Sequence, residues 1–242
     1  MSRDIPIIFS APMIKAFLRE IETPGTGKTM TRRLAWREDG AVDVRYGKEL
    51  AAKGWRVEAR DSTSSYAWSP TQWQKVKPGD RLWVRESVKG RPDEAGFDGV
   101  QYLADNKWAA VTGATPNEMQ ERFMDLFYYR NRRGAPIPSI HMPRWASRIT
   151  LIVTATKTEP VQNIVEADAI AEGVQKTIKG HFGVIGPNGG WLGSAFDTAA
   201  AAFSYLWMSL HGTESWDANP EVVALTVKPI LANIDSPEAR AA

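Results

Sequence analysis

Residues 25–33, Gly25-Thr26-Gly27-Lys28-Thr29-Met30-Thr31-Arg32-Arg33, decide between two unrelated folds. A glycine-rich turn running into Lys-Thr has the look of a phosphate-binding loop, whose backbone N–H groups cradle a nucleotide's phosphates. That motif requires another glycine five positions before the second one, and Glu22 stands there. The surroundings are reversed as well, because a phosphate loop follows a strand and opens a helix. Here Pro12 suits the first turn of a helix whose Ile14, Phe17, Leu18 and Ile21 share one face, and an extended segment from Lys28 to Leu34 comes afterwards. The phosphate-loop reading fails.

Outward from this stretch the pattern is mixed. Ile5 to Phe9 reads as a short buried strand. Residues 35–78 show no periodicity and read as an insertion or a long structured loop, rich in Gly, Ser and Thr. After the turn Pro78-Gly79-Asp80, the segment Arg81 to Glu86 alternates, with Leu82 and Val84 on one face and Arg81, Trp83 and Arg85 on the other. Residues 87–117 are irregular again, and a helix from Asn117 then aligns Met119, Phe123, Leu126 and Phe127. It ends in Tyr128-Tyr129-Arg130-Asn131-Arg132-Arg133, where aromatics and arginines suit stacking and phosphate contact.

A second alternating strand covers Arg148 to Thr156. Asn163 and Glu166 have capping-box spacing for a short helix ending at Gly173. A glycine-rich loop from Thr177 to Gly193 precedes a strong helix opening at Ser194 and closed by Gly212. Glu221 to Val227 reads as the last strand, and residues 235–242 as a flexible tail. This order lacks the regular β–α alternation of a doubly wound sheet. It predicts an α+β chain with a mostly-β core and attached helices. One domain is expected over residues 1–234, with insertions near 35–77, 87–138 and 175–193.

Composition narrows the chemistry. The chain of 242 residues has no cysteine, so disulfides, thiolate metal sites and a cysteine nucleophile are all excluded. Its three histidines, His141, His181 and His211, form no i, i+4 pair, and neither a metal nor a cofactor is expected. A net charge of +2 confines any nucleic-acid contact to a local patch, such as a basic rim of Arg32, Arg33, Arg144 and Arg148. No apolar run approaches the roughly 20 residues needed to span a bilayer. With no secretory pattern at Met1-Ser2-Arg3-Asp4, the expected location is the cytoplasm, without a membrane partner.

Read on to its arginines, the opening stretch resembles the G-x-K-T-x-T-x-R signature of the ASCH family, although Thr23 to Thr26 lengthen the turn. Residues Pro78 to Glu86 look like the turn and strand that follow in that family. The segments Ser139 to Ile149, Glu166 to Gly173 and Ser215 to Pro220 are similar to parts of its longer, phage-associated branch. The resemblance implies a PUA-like small β-barrel with flanking helices, long insertions, and a cleft beside the first helix. It also implies an amidohydrolase that removes an acyl group from N4-acylated cytidine such as N4-acetylcytidine. The catalytic roles then fall by motif position on Lys28, Thr31 and Glu172. A hydroxyl is a poor nucleophile without a base, which a lysine can provide if burial lowers its pKa. Glu172, set against the dipole at its helix's end, would orient Lys28 or protonate the leaving amine.

Arg33, Trp83, Glu86, His141, Arg144 and Trp145 are the expected substrate-binding residues, and a modified nucleoside or base, or RNA, the expected partner. The alternative is a non-catalytic module that binds RNA or a modified base in the same cleft. Oligomeric state is not legible in the sequence.

Overall fold

The computed structural model describes residues 2–186 and 190–242. In chain order its first strands and helices are β1 (Asp4–Ile8), α1 (Ala11–Glu22), β2 (Met30–Leu34), β3 (Trp36–Asp43), α2 (Val44–Ala52), β4 (Arg56–Ala59), β5 (Ser64–Pro70) and β6 (Arg81–Arg85). Next come β7 (Val88–Gly90), β8 (Gly99–Tyr102), β9 (Trp108–Ala110), α3 (Pro116–Phe127), β10 (Thr150–Pro160) and α4 (Glu166–Ala171). The chain closes with β11 (Gln175–Lys176), β12 (Phe182–Ile185), β13 (Trp191–Phe196), α5 (Ala199–His211), α6 (Thr213–Asp217), β14 (Glu221–Ile230) and α7 (Pro237–Ala241). The fold is α+β.

A five-stranded sheet in the order β1-β6-β10-β14-β2 organises it, with β1 and β6 parallel and the other pairs antiparallel. Alternation drives its construction. Leu82 and Val84 of β6, Leu151 and Val153 of β10, and Val223 and Leu225 of β14 enter one core together with Ile14 and Phe17 of α1. Each such side chain contributes about 1.5–3 kcal/mol when fully buried. A second core gathers Ala169 of α4, Phe203 and Trp207 of α5, and Val222 of β14. The sheet is therefore covered on both faces, and β2 and α4 meet where the two cores adjoin.

The remaining strands form three small sheets, β3-β5-β4, β7-β8-β9 and β11-β12-β13. Two of them correct the expectation of irregular chain. In β5 the inward positions are Ser65, Ala67 and Ser69, so the alternation is present but its buried members are small and carry no hydrophobic signal. Strands β7, β8 and β9 have only three or four residues each, too short to display a period.

Helix starts also differ from expectation. Ser194 lies in β13, and the helix begins at Ala199 with the Thr198 hydroxyl accepting the Ala201 N–H. Val165, not Asn163, precedes α4 at its N-cap, and the Glu166 carboxylate accepts the N–H groups of Ala199 and Ala200 at 2.7 and 3.0 Å. A carboxylate read as a local cap thus caps a neighbouring helix. Part of the glycine-rich loop pairs as β12, while residues 187–189 lie outside those described.

The C-terminal residues are ordered rather than a free tail. Ser236 caps α7, Ala239 is buried, and Asp235 receives two hydrogen bonds from Arg144. Among the described residues no helix is long and apolar enough to cross a membrane. Removal of residues 235–242 should lower stability by about 1–3 kcal/mol, since it exposes apolar surface and frees Arg144. A drop in the urea midpoint checks this; an unchanged midpoint would return the segment to the status of a tail.

Candidate active site beside the first helix

The turn between α1 and β2 is held from within. Glu20 accepts the N–H groups of Gly25 at 2.9 Å and Gly27 at 2.8 Å, so the amides of this loop are already occupied by a carboxylate of the preceding helix. A Cβ on Gly27 would meet the Ala16 carbonyl oxygen and the Glu20 nitrogen at 2.3 Å, which only glycine avoids. Lys28 then donates its backbone N–H to Ala16, and Thr29 donates to Ala171 at the end of α4. Two backbone bonds therefore seat Lys28 between α1 and α4.

Its side chain runs across Gly173, whose φ of +106° is a conformation glycine adopts without strain. The ammonium ends 2.6 Å from Glu172 Oε2 and 2.7 Å from the Glu172 carbonyl oxygen. Both partners are buried, at 1% exposure for Lys28 and 7% for Glu172. Arg32 reaches the same carboxylate at 3.3 Å and also binds Asp168 at 2.7 Å and Glu159 at 2.9 Å. Glu172 ends α4, where the dipole disfavours a negative charge, and the two cations offset that penalty. Burial pushes the Lys28 ammonium below its ordinary range, with the Glu172 carboxylate opposing it. Burial also draws down Arg32, but Glu172, Asp168 and Glu159 together outweigh it and hold the guanidinium above its usual value.

Thr31 is buried in β2 and pairs with Leu225, which places its side chain on the α1 face of the sheet, opposite to Arg32. Among the described residues its hydroxyl makes no hydrogen bond to Lys28 or Glu172. Arg33 shares that face, lies over the rings of Phe9 and Trp73 at 4.8 and 5.8 Å, and donates to the Ile8 carbonyl. Burial lowers it to about 10, which leaves it charged at neutral pH. Glu172 borders a cavity of about 70 Å³ whose walls include Met13, Gln175, Leu192 and Leu206.

The other expected contacts are dispersed. Trp83 lies under the Arg85 guanidinium at 5.3 Å, and His141 leans on Tyr129 at 5.7 Å. Trp145 lies beneath Arg122. Arg144 is committed to Asp4 at 2.6 Å and to Asp235, which ties the two ends of the chain together. Glu86 is buried and accepts two N–H bonds from Arg148 at 2.8 and 2.9 Å; Arg148 in turn binds Asp105 and lies 4.0 Å over the Tyr102 ring. Arg32 and Arg148 are thus interior ion-pair partners, not a basic rim.

Sequence reasoning missed Asp168 and Glu159 as partners of the site. Asp168 was legible, since it precedes Glu172 by four residues and so shares its helix face. Glu159 had no such signal. Among the described residues no cluster of three or more His, Asp or Glu side chains is arranged to hold a metal ion. No protein-family model, curated protein or solved structure matches the chain.

Lys28→Met should destabilise the fold by about 3–5 kcal/mol, because Glu172 then keeps a buried charge with one partner fewer. Lys28→Met combined with Glu172→Leu should recover most of that loss in urea denaturation, and a double variant no better than the single one would refute the pairing.

Glu86 gives a pH signature. Burial raises its carboxyl above the ordinary value of 4.5. The protonated form therefore favours the folded state; this contribution is full below 4.5 and is lost as pH rises through the raised value. From neutral pH down toward 4.5, the wild type should gain stability relative to Glu86→Gln in a denaturation series. Parallel pH profiles for the two proteins would contradict it.

Proposed function

We propose that the protein is a PUA-like amidohydrolase of the ASCH type that removes a short acyl group from N4-acylated cytidine, N4-acetylcytidine being the leading substrate. The observation that carries the reading is the Lys28–Glu172 pair, buried at 2.6 Å, with Glu172 bordering a small cavity with apolar walls. A volume of about 70 Å³ admits an acyl group of a few heavy atoms, with the base and ribose held toward the mouth. The barrel reading is supported by the approach of the sheet's two edges: Arg33 of β2 donates to the Ile8 carbonyl of β1, although the two strands are not paired.

In this mechanism Lys28 acts in its neutral form, which burial favours. Thr31 Oγ1 attacks the acyl carbonyl carbon while its proton passes to Lys28. The C–N4 bond breaks as the proton is handed to the departing N4 through Glu172, giving a neutral amino group on cytidine and a threonyl ester. Water, deprotonated by Lys28, hydrolyses that ester to the carboxylic acid and restores the hydroxyl. No metal and no cofactor enters. The second reading, a non-catalytic module for RNA or a modified base, is favoured by one observation: the Thr31 hydroxyl bonds to neither Lys28 nor Glu172 at rest.

Ultraviolet-monitored hydrolysis of N4-acetylcytidine separates the two. The wild type should turn over substrate; Thr31→Val should lower kcat by at least about 100-fold with folding retained, and Glu172→Gln by at least as much in the folded protein that remains by circular dichroism. A wild type that binds N4-acetylcytidine without hydrolysing it would establish the module instead.

A further inference from the structure

The connection between β11 and β12 is a tight turn with an unusual residue at its corner. Thr177 donates its N–H to the His181 carbonyl at 2.7 Å, Gly180 donates to the Thr177 carbonyl at 2.9 Å, and Gly180 takes a φ of +86°. Ile178 and Lys179 therefore occupy the two corner positions, which Gly, Pro, Asn, Asp and Ser ordinarily fill. Ile178 is 108% exposed, more than any other large apolar side chain among the described residues. The backbone bonds and Gly180 close the turn without it, so nothing in the chain's own packing uses this side chain. Lys176 and Lys179 flank it, Lys176 lies over the Phe182 ring at 6.0 Å, and neither lysine makes an ion pair among the described residues.

A groove of the opposite character lies where the β7-β8-β9 sheet adjoins α3. Its volume is about 650 Å³, its apolar wall includes Phe97, Trp108, Val111 and Met119, and its carboxylates are Asp93 and Asp98. The turn that forms its rim is held from within: Asp93 accepts the Phe97 N–H on its side chain at 2.8 Å and donates its own N–H to the Phe97 carbonyl at 2.9 Å. Phe97 is left 67% exposed. Trp108 spends its indole N–H on the Arg91 carbonyl at 2.9 Å and has no donor left to offer the groove. Asp93, Glu94 and Asp98 make no ion pair among the described residues, and Arg91, the nearest cation along the chain, reaches Gln101 instead. Three carboxylates against one guanidinium leave residues 91–98 with two net negative charges. The groove is too large for a single side chain and has the size and charge to take a short basic turn with an aliphatic apex.

We propose that the turn Lys176–Lys179 of one copy docks in this groove of a second copy, with Ile178 between Phe97, Trp108 and Met119 and the two lysines facing Asp93 and Asp98. Burial of apolar surface drives the contact, and the opposite charges orient it. One turn buries little area, so the association is weak and concentration-dependent. Turn and groove are different surfaces, and each copy carries both halves of the contact. The inference does not depend on the chemistry at Lys28 and Glu172.

Sedimentation equilibrium of the full chain over a concentration series tests it. The average mass should rise with concentration, and less steeply as salt screens the charges. Ile178→Asp spoils the turn and Phe97→Ser the groove; both positions are exposed, so the circular dichroism spectrum should be kept. Each should weaken self-association by at least about tenfold. Mixed together, the two variants should associate more strongly than either alone, because the intact groove of the first meets the intact turn of the second. Lys179→Glu and Asp98→Lys should each weaken association, and the two combined in one chain should restore it. A wild type that stays monomeric across the series would leave the groove to some other basic partner and overturn the proposal. Association that survives Ile178→Asp, or variants that fail to complement each other when mixed, would overturn it as well.

Discussion

Arg32, Lys28 and Glu172 form a buried electrostatic knot that joins the segment after α1 to the end of α4, far from it in sequence. Lys28 enters from the turn after α1, Arg32 from the edge strand β2, and Glu172 from the end of α4. Charges taken from water demand partners with good geometry, because the loss of hydration is returned only when each donor and acceptor is met. That demand, together with the backbone bond from Thr29 to Ala171, holds the end of α4 against the start of β2. Nonpolar packing alone would tolerate several such arrangements; this set of ion pairs tolerates few.

The same knot governs what chemistry the region supports. A lysine whose ammonium is disfavoured by burial and a carboxylate within hydrogen-bond reach form a proton-handling unit. Arg32 limits that unit, since it draws on the same carboxylate and adds Asp168 and Glu159 to the balance. The Glu86–Arg148–Asp105 set repeats the construction at the end of β6 and fastens β7-β8-β9 to the main sheet. Each set includes a buried glutamate among the lining residues of a cavity, and Ser10 lines both cavities.

The chain's two ends are tied in by related means. Asp80, wholly buried, accepts from the backbone and side chain of Arg3, and Arg144 bridges Asp4 and Asp235. These pairs lie at the margins of the five-stranded sheet. They explain why a C-terminal segment of polar and small residues is held in a helix: its order comes from partners elsewhere, not from its own composition.

Local physics was enough for part of this structure. The amphipathic spacing of Ile14, Phe17 and Leu18, the alternation in Arg81 to Glu86 and from Ile149 to Val153, and the turn at Pro78-Gly79 are written in side chains that face one core. The pairing of Lys28 with Glu172 came from motif position and agrees with their contact, although 144 residues separate them. Other features were not legible. Small inward residues hid β5, strands of three or four residues hid the β7-β8-β9 sheet, and Glu166 reached past its own helix to cap another. Sequence alone determined which faces are apolar and where the chain must turn, because periodicity and glycine act over a few residues. Only tertiary structure decided which charges are buried together, because an ion pair depends on distance in space, and no spacing along the chain encodes that.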